Sequence, residues 1–368
     1  INGSGKHNNW SISADGENLF AQSEDQDKNL RFMIMVNCFI KAVEQYQDLL
    51  RTASASAGND HRLGGMEAPP AILSMYLGND LEEKIEKFIN DGALPEDNTA
   101  AELDLGAGSV PVLDKDGSDR NRTSPMAFTG NKFEFRMPGS NANVASANAV
   151  LNTAFAKVLE DFNNNFAEQL SADTKNIFTD KAMLEKAKKI VKLNYENHKH
   201  IIFNGDGYTE EWLNTAKDRG LANFKTTADA LPCIASPKAI ELFESQNVLS
   251  KEELQSRYEV ELEKYNKLIN IEIRLRKRMV RRSVLPAINE DMIELAEGVN
   301  KISAATERIP ATLNQQEVLN RLQNAYNNAF VLQESLDVLH KESLDMQDQQ
   351  ERANFNTNTI FPLMKELR

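Results

Sequence analysis

Three short clusters hold the side chains best suited to chemistry on an anion. Asn2-Gly3-Ser4-Gly5-Lys6-His7 sets an imidazole and a base on a glycine-rich backbone. Asn121-Arg122-Thr123-Ser124 places an arginine among polar groups, and Lys132-Phe133-Glu134-Phe135-Arg136 alternates charge with aromatic rings. A period of two puts Lys132, Glu134 and Arg136 on one face of a strand. Taken singly, each cluster has an ordinary explanation. Gly-Ser-Gly is common in plain turns, and alternating charge is usually a solvated strand face. Together they offer basic side chains, a carboxylate and an imidazole to one anionic substrate. Phosphoryl transfer to a carboxylate needs that inventory, because two anions must be brought together against their repulsion. A divalent metal held by carboxylate or imidazole does part of this, and arginine bears charge on the moving phosphoryl group.

These residues need elements to position them. Residues 1–13 suit a strand or hairpin edge, followed by a polar connector. From Leu30 to Leu50 the apolar residues recur at helical spacing and predict one helix with a single buried stripe. Ser54–Gly65 reads as a loop leading to His61-Arg62 and Glu67-Ala68-Pro69-Pro70, and loops of this kind commonly carry function. The acidic stretch 91–119 predicts a hairpin or excursion before the Lys132 strand. Beyond Asn148 the pattern is helical: Leu151, Phe155, Val158 and Phe162 mark one helix, and Met183, Leu184, Ala187, Val191 and Tyr195 another. A capping box at Ser250-Lys251-Glu252-Glu253 opens a long helix. Leu254, Tyr258, Leu262, Tyr265, Ile269, Leu275 and Met279 are expected to face inward until Pro286 interrupts it. Amphipathic stretches 287–308 and 314–347 flank Pro310, and the lengths suggest an antiparallel bundle over about 250–347.

In order and spacing, Ile1–Ser11, Arg62-Leu63-Gly64-Gly65-Met66-Glu67-Ala68-Pro69-Pro70 and Asn121–Arg136 resemble consecutive signatures of the glutamine synthetase family. Asn121-Arg122-Thr123-Ser124-Pro125, Phe128–Arg136 and Asn204-Gly205-Asp206-Gly207-Tyr208 before Glu210-Glu211-Trp212 look like its type III class. The resemblance implies ATP-dependent ligation of ammonium to L-glutamate through γ-glutamyl phosphate, with magnesium or manganese. It implies His7 and Glu134 as metal ligands, and Asn2, Gly3, Arg62 and Arg136 as contacts to glutamate. Asn9, Ser11 and Lys132 fall where the family touches nucleotide. Arg122 matches the arginine on the moving phosphoryl, and Glu67 the flap carboxylate that takes a proton from ammonium. Departures from the type I pattern, Asn9 for His, Lys132 for Arg and Ala127 for Arg, leave the nucleotide contacts the weakest transfer. The family's other metal carboxylates precede the Asn-Gly-Ser-Gly segment, so the chain reads as a C-terminal piece that is inactive alone. A double-ring dodecamer, each site completed by a neighbour, is also implied.

The expected fold is α+β: residues 1–165 as the C-terminal part of the catalytic domain, with antiparallel strands and packed helices, then a helical extension over 166–368. The formal charge of −13 over 368 residues argues against nucleic acid as the main partner. A mean hydropathy of −0.50, with no apolar run near the roughly 20 residues that span a bilayer, gives no membrane segment. Two cysteines in apolar surroundings, Cys38 and Cys233, suit a reducing cytoplasm rather than a disulfide framework. The basic run Arg274–Arg282 fits a solvated face or an intersubunit salt-bridge stripe better than RNA or lipid. His198 and His200 lack metal-site spacing. Asn204–Gly207 fails as a calcium loop because Leu213 holds its twelfth position, which leaves a turn into a helix starting at Thr209. Two rival functions remain: a carboxylate–amine ligase that uses another amine, such as a γ-glutamylpolyamine synthetase, and a non-catalytic assembly module.

Overall fold

The computed structural model describes residues 4–23, 25–65, 68–91, 102–103, 113–114, 123–167, 181–305 and 313–367. The chain divides into two units, 1–258 and 259–368.

In the first unit, β1 (Asn8–Trp10) is followed by a small hairpin of β2 (Ser13–Ala14) and β3 (Glu17–Asn18). Its turn is Asp15-Gly16, with φ of 53° and 81°, the positive pair that an Asp-Gly hairpin turn adopts. Helices α1 (Gln26–Gln45), α2 (Gln47–Ala53) and α3 (Ala57–Asp60) lead to β4 (Met75–Tyr76) and α4 (Asn79–Asp91). Strands β5 (Glu102–Leu103) and β6 (Leu113–Asp114) pair antiparallel in the expected excursion. Then come β7 (Met126–Phe128), β8 (Phe133–Phe135) and the helices α5 (Ala145–Ala167), α6 (Lys181–His198), α7 (Glu210–Asp218), α8 (Thr227–Ala230) and α9 (Pro237–Ser245).

The main sheet has the order β1-β8-β7-β4. Its first two pairings are antiparallel and β4–β7 is parallel, so the sheet is mixed rather than purely antiparallel. The long excursion between β4 and β7 supplies the crossover that a parallel pairing requires. Phe133 and Phe135 of β8 point to the core. There Phe133 stacks on Phe39 of α1 at 4.1 Å, and Trp10 stacks on Phe39 at 5.0 Å. Alternation therefore turns Glu134 to the opposite face. The stripe expected as one helix from Leu30 to Leu50 is two, broken at Tyr46 (φ −116°, ψ 27°). Hydrogen bonds Tyr46 N to Ala42 O and Leu50 N to Tyr46 O cross the break and keep the phase, so Leu49 and Leu50 stay buried.

Helix α10 (Lys251–Met279) starts at the expected capping box: Glu253 N donates to Ser250 Oγ and Ser250 N to Glu253 Oε2. The second unit takes α10 from Glu259 onward, then α11 (Leu285–Ala305), α12 (Leu313–Asp345), α13 (Gln349–Phe355) and α14 (Phe361–Glu366). Pro286 does not end the helix. A π-helical turn, Val280–Val284, carries the chain from α10 into α11, and a second, Asn356–Ile360, precedes α14 and Pro362. In both places the widened turn relieves the missing N–H and the ring clash that proline brings to a regular helix. Leu262, Tyr265 and Ile269 are buried as expected, but Leu275 and Met279 are exposed, and Ile273 and Val280 fill the interior instead.

Polar groups thread the second unit's interior. Asn266 donates to Gln349 O, Asn356 to Asn266 Oδ1, and Ser343 to Asn356 Oδ1 at 2.6 Å. His340 Nε2 bonds Asn270 Oδ1 at 2.7 Å, and Lys277 donates to His340 Nδ1 at 3.2 Å.

Candidate active site

The outer face of the β1–β8 pair collects the sequence-selected residues. Asn9 lies opposite Glu134, and the same register sets His7 near Arg136 and Ser11 near Lys132. Asn8 and Trp10 face the other way and are anchored to α5, Asn8 Nδ2 to Asn148 and Trp10 Nε1 to Asn152, each at 2.8 Å. His7 Nδ1 comes within 3.0 Å of Glu134 Oε1, and Arg136 Nε donates to Glu134 Oε2 at 2.8 Å. Burial alone would raise the Glu134 carboxyl; the Arg136 hydrogen bond and charge, with His7, outweigh it and hold the group below the usual carboxylate range. The imidazole and carboxylate expected to share a cavity are therefore in contact. Arg136, which the resemblance implies as a contact to glutamate, is only 4% exposed. The cause is its position at the end of β8, where its backbone N–H bonds Pro125 O and its side chain folds onto Glu134.

Arg62 is also buried, and its guanidinium is engaged by backbone. Nη1 donates to Met137 O at 2.8 Å and to Asn59 Oδ1 at 3.1 Å, and Nη2 to Arg136 O at 3.1 Å. Burial lowers its pKa, with neighbouring Tyr208 acting the other way. Asn59, which the sequence did not single out, adds a second clamp, its Nδ2 donating to Met137 O and Ser54 O. Its position as the third residue after the cap Ser56 was the only signal for it. Residues 4–6 run beside 138–140, with Lys6 N bonded to Pro138 O and Ser140 N to Ser4 O. A β-carbon at Gly5 would run into Nη2 of Arg62, so the close approach of this strand requires glycine.

Ser11 Oγ donates to Asn18 Oδ1 at 2.8 Å, and Lys132 Nζ reaches Asn131 Oδ1 at 3.5 Å. The Asn204–Tyr208 segment docks at the other sheet edge. Phe203 N bonds Met75 O, Asn204 Oδ1 accepts from Leu77 and Gly78, and Gly207 N donates to Thr123 Oγ1 at 2.8 Å. The turn at 204–207 leads to Thr209, which caps α7 by accepting from Trp212 N. Asn2, Gly3, Glu67 and Arg122 lie outside the described residues. His198 and His200 bond the two oxygens of Glu44 at 2.7 and 3.1 Å, tying α6 and the turn after it to α1.

Residues 186–303 match the family model described as the glutamine synthetase C-terminal domain. Over its whole length the chain is 39% identical to a type-3 glutamine synthetase of Dictyostelium discoideum, of which it covers 49%. It is 34% identical to a glutamine synthetase of Bacteroides fragilis, of which it covers 50%. The chain is thus similar along its whole length to glutamine synthetases, one of them named as type-3. It spans about half the length of the relatives it matches. In light of that similarity, the His7–Glu134 pair can be tested as part of a cation site. A nitrogen and a carboxylate oxygen 3.0 Å apart can share one ion, and these donor types suit magnesium or manganese. Among the described residues no third His, Cys, Asp or Glu joins them. The pair fits as two ligands of a larger shell.

Proposed function

We propose that this chain is the C-terminal part of an enzyme that uses ATP to join ammonium to L-glutamate, giving L-glutamine through γ-glutamyl phosphate. The single observation that carries this is the His7–Glu134–Arg136 cluster on one sheet face, in a chain similar throughout to a type-3 glutamine synthetase. His7 and Glu134 would hold a magnesium or manganese ion. When bound, it neutralises phosphate charge so that one anion can approach another. Arg136 keeps Glu134 ionised and fixes the oxygen that it does not use. Arg62 and Asn59 set the Arg136–Pro138 backbone, and through it the direction of Arg136. In this proposal Asn2, Gly3, Arg62 and Arg136 meet glutamate, and Asn9, Ser11 and Lys132 meet nucleotide. Arg122 steadies the moving phosphoryl group, and Glu67 takes the ammonium proton.

Residues 1–165 form the end of the catalytic domain and 166–368 the helical extension, within a cytoplasmic double-ring dodecamer. The test is glutamine formation by the protein that carries the preceding half, with ammonium set against polyamines. Ammonium-dependent turnover that falls at least about 100-fold in Glu134→Gln is expected, a loss of about 2.7 kcal/mol or more in transition-state stabilisation. Preference for a polyamine would transfer the site to the related ligase class. Glutamine formation by the 368 residues alone would show that the missing half is not needed.

A further inference from the structure

The β2–β3 hairpin supplies none of the residues assigned to the site, yet its last residue, Asn18, reaches two segments that do. Asn18 Oδ1 accepts from Phe20 N at 2.9 Å, an Asx turn that fixes which way the amide points. Phe20 is buried in the aromatic core, its ring centre 5.1 Å from that of Phe133 and 5.7 Å from that of Phe39, so the amide is held from beneath. From the side, Glu17 accepts from Lys28 and Arg31 of α1, each at 2.7 Å, and Leu19 N bonds Ile12 O. With its orientation set, the amide joins two groups across the sheet end. Oδ1 also accepts from Ser11 Oγ at 2.8 Å, and Nδ2 donates to Asn131 O at 2.7 Å. Ser11 Oγ lies 3.3 Å from Asn131 O as well, so the three residues close a triangle. Asn131 and Lys132 belong to the turn between β7 and β8, which Thr129 N closes onto Lys132 O and in which Gly130 takes a φ of 91°.

We propose that Asn18 is the positioning residue for the nucleotide end of the site: it holds the Ser11 hydroxyl and the Asn131–Lys132 backbone at one spacing, so that both meet the nucleotide together. The inference rests on the reading of Ser11 and Lys132 as nucleotide contacts. Both lone pairs of Oδ1 are taken, by Phe20 N and Ser11, and Nδ2 spends a proton on Asn131, so Asn18 acts through these neighbours rather than on the ligand. Without it, an exposed serine hydroxyl is free to rotate and the turn is tied to β1 only through the strand ladder. Ordering both groups before ATP arrives removes a cost that binding would otherwise carry. The effect is confined to one end of the sheet face, because the His7–Glu134–Arg136 cluster is held by its own contacts and by Arg62.

The experiment uses the protein that carries the preceding half, and compares the two substrates. Asn18→Ala should raise KM for ATP about 10-fold while KM for glutamate stays within about two-fold. Asn18→Asp, which keeps both acceptances but sets a carboxylate against Asn131 O, should raise KM for ATP at least as far. In a Ser11→Ala background the added cost of Asn18→Ala should fall to about three-fold or less, since part of its work is to hold that hydroxyl. Equilibrium dialysis with ATP and magnesium reads the same loss without turnover. An unmoved KM for ATP, an equal rise for ATP and glutamate, or the full cost in both backgrounds would overturn the role of Asn18 and leave the ligase reading standing. Wild type that binds ATP more tightly than Asn18→Ala yet forms no glutamine would sink the ligase reading and keep the role.

Discussion

Glu134 receives a guanidinium on one oxygen and an imidazole on the other, and its lowered pKa has a definite sign in stability. The contribution is complete above its unfolded value, about 4.3, and is lost as pH falls through the lower folded value. The urea midpoint of wild type should therefore exceed that of Glu134→Gln by the largest margin near neutrality, and the margin should shrink as pH falls below about 4.3 toward the lower folded value. Arg136→Ala should cost more, about 3 kcal/mol, because it leaves a largely buried carboxylate without its cation. Loss of activity in that variant thus needs a companion melt before it is assigned to substrate contact. Gly5→Ala should lower stability by pushing Arg62 off its carbonyls, and a smaller partner residue, Arg62→Lys, should recover part of the loss in a double-mutant cycle. That Lys132, Glu134 and Arg136 share a face was legible because a strand alternates its side chains, whereas the contact of Glu134 with His7 was expected only through the resemblance to the glutamine synthetase family. The burial of Arg136 and the clamp from Asn59 were not legible, since both depend on the path of residues 137–138, which no local pattern encodes.

At the scale of elements, α10 was announced by its capping box, and Ser250→Ala should cost about 1 kcal/mol in a denaturant titration. Its inward stripe was only half legible. A helix with two apolar sides offers two periodic solutions, and the choice of Ile273 over Leu275 is made by what packs against it. Pro286 misled for a related reason: a proline ends a regular helix, but a π-helical turn can absorb it. His340 gives this bundle a pH dependence. Burial lowers its pKa, aided by Lys277, Arg274 and Arg352 and opposed by Asp337. The unfolded chain therefore takes up the proton first, and stability that is whole above about pH 6.5 is lost as pH falls toward the folded value. Protection factors of the amide hydrogens in α10 and α12, corrected for the intrinsic rate at each pH, should fall as pH drops below about 6.5, and His340→Gln should flatten that response.

Across the whole molecule, the two units draw on different physics. The first places a three-residue strand pair over an aromatic core, so its polar face presents several candidate site side chains at once. The second packs an apolar stripe together with hydrogen-bonded polar groups inside its bundle and leaves further large apolar side chains on its surface. Deletion of one residue within Val280–Val284 should restore a regular turn and rotate everything beyond it by about 100° about the helix axis. Leu285, Met292 and Val299, spaced seven apart and all buried, would then swing out into water together. That one surplus residue acts as a phase setting for the bundle, and length in this turn should be less tolerant of change than the identity of its side chains.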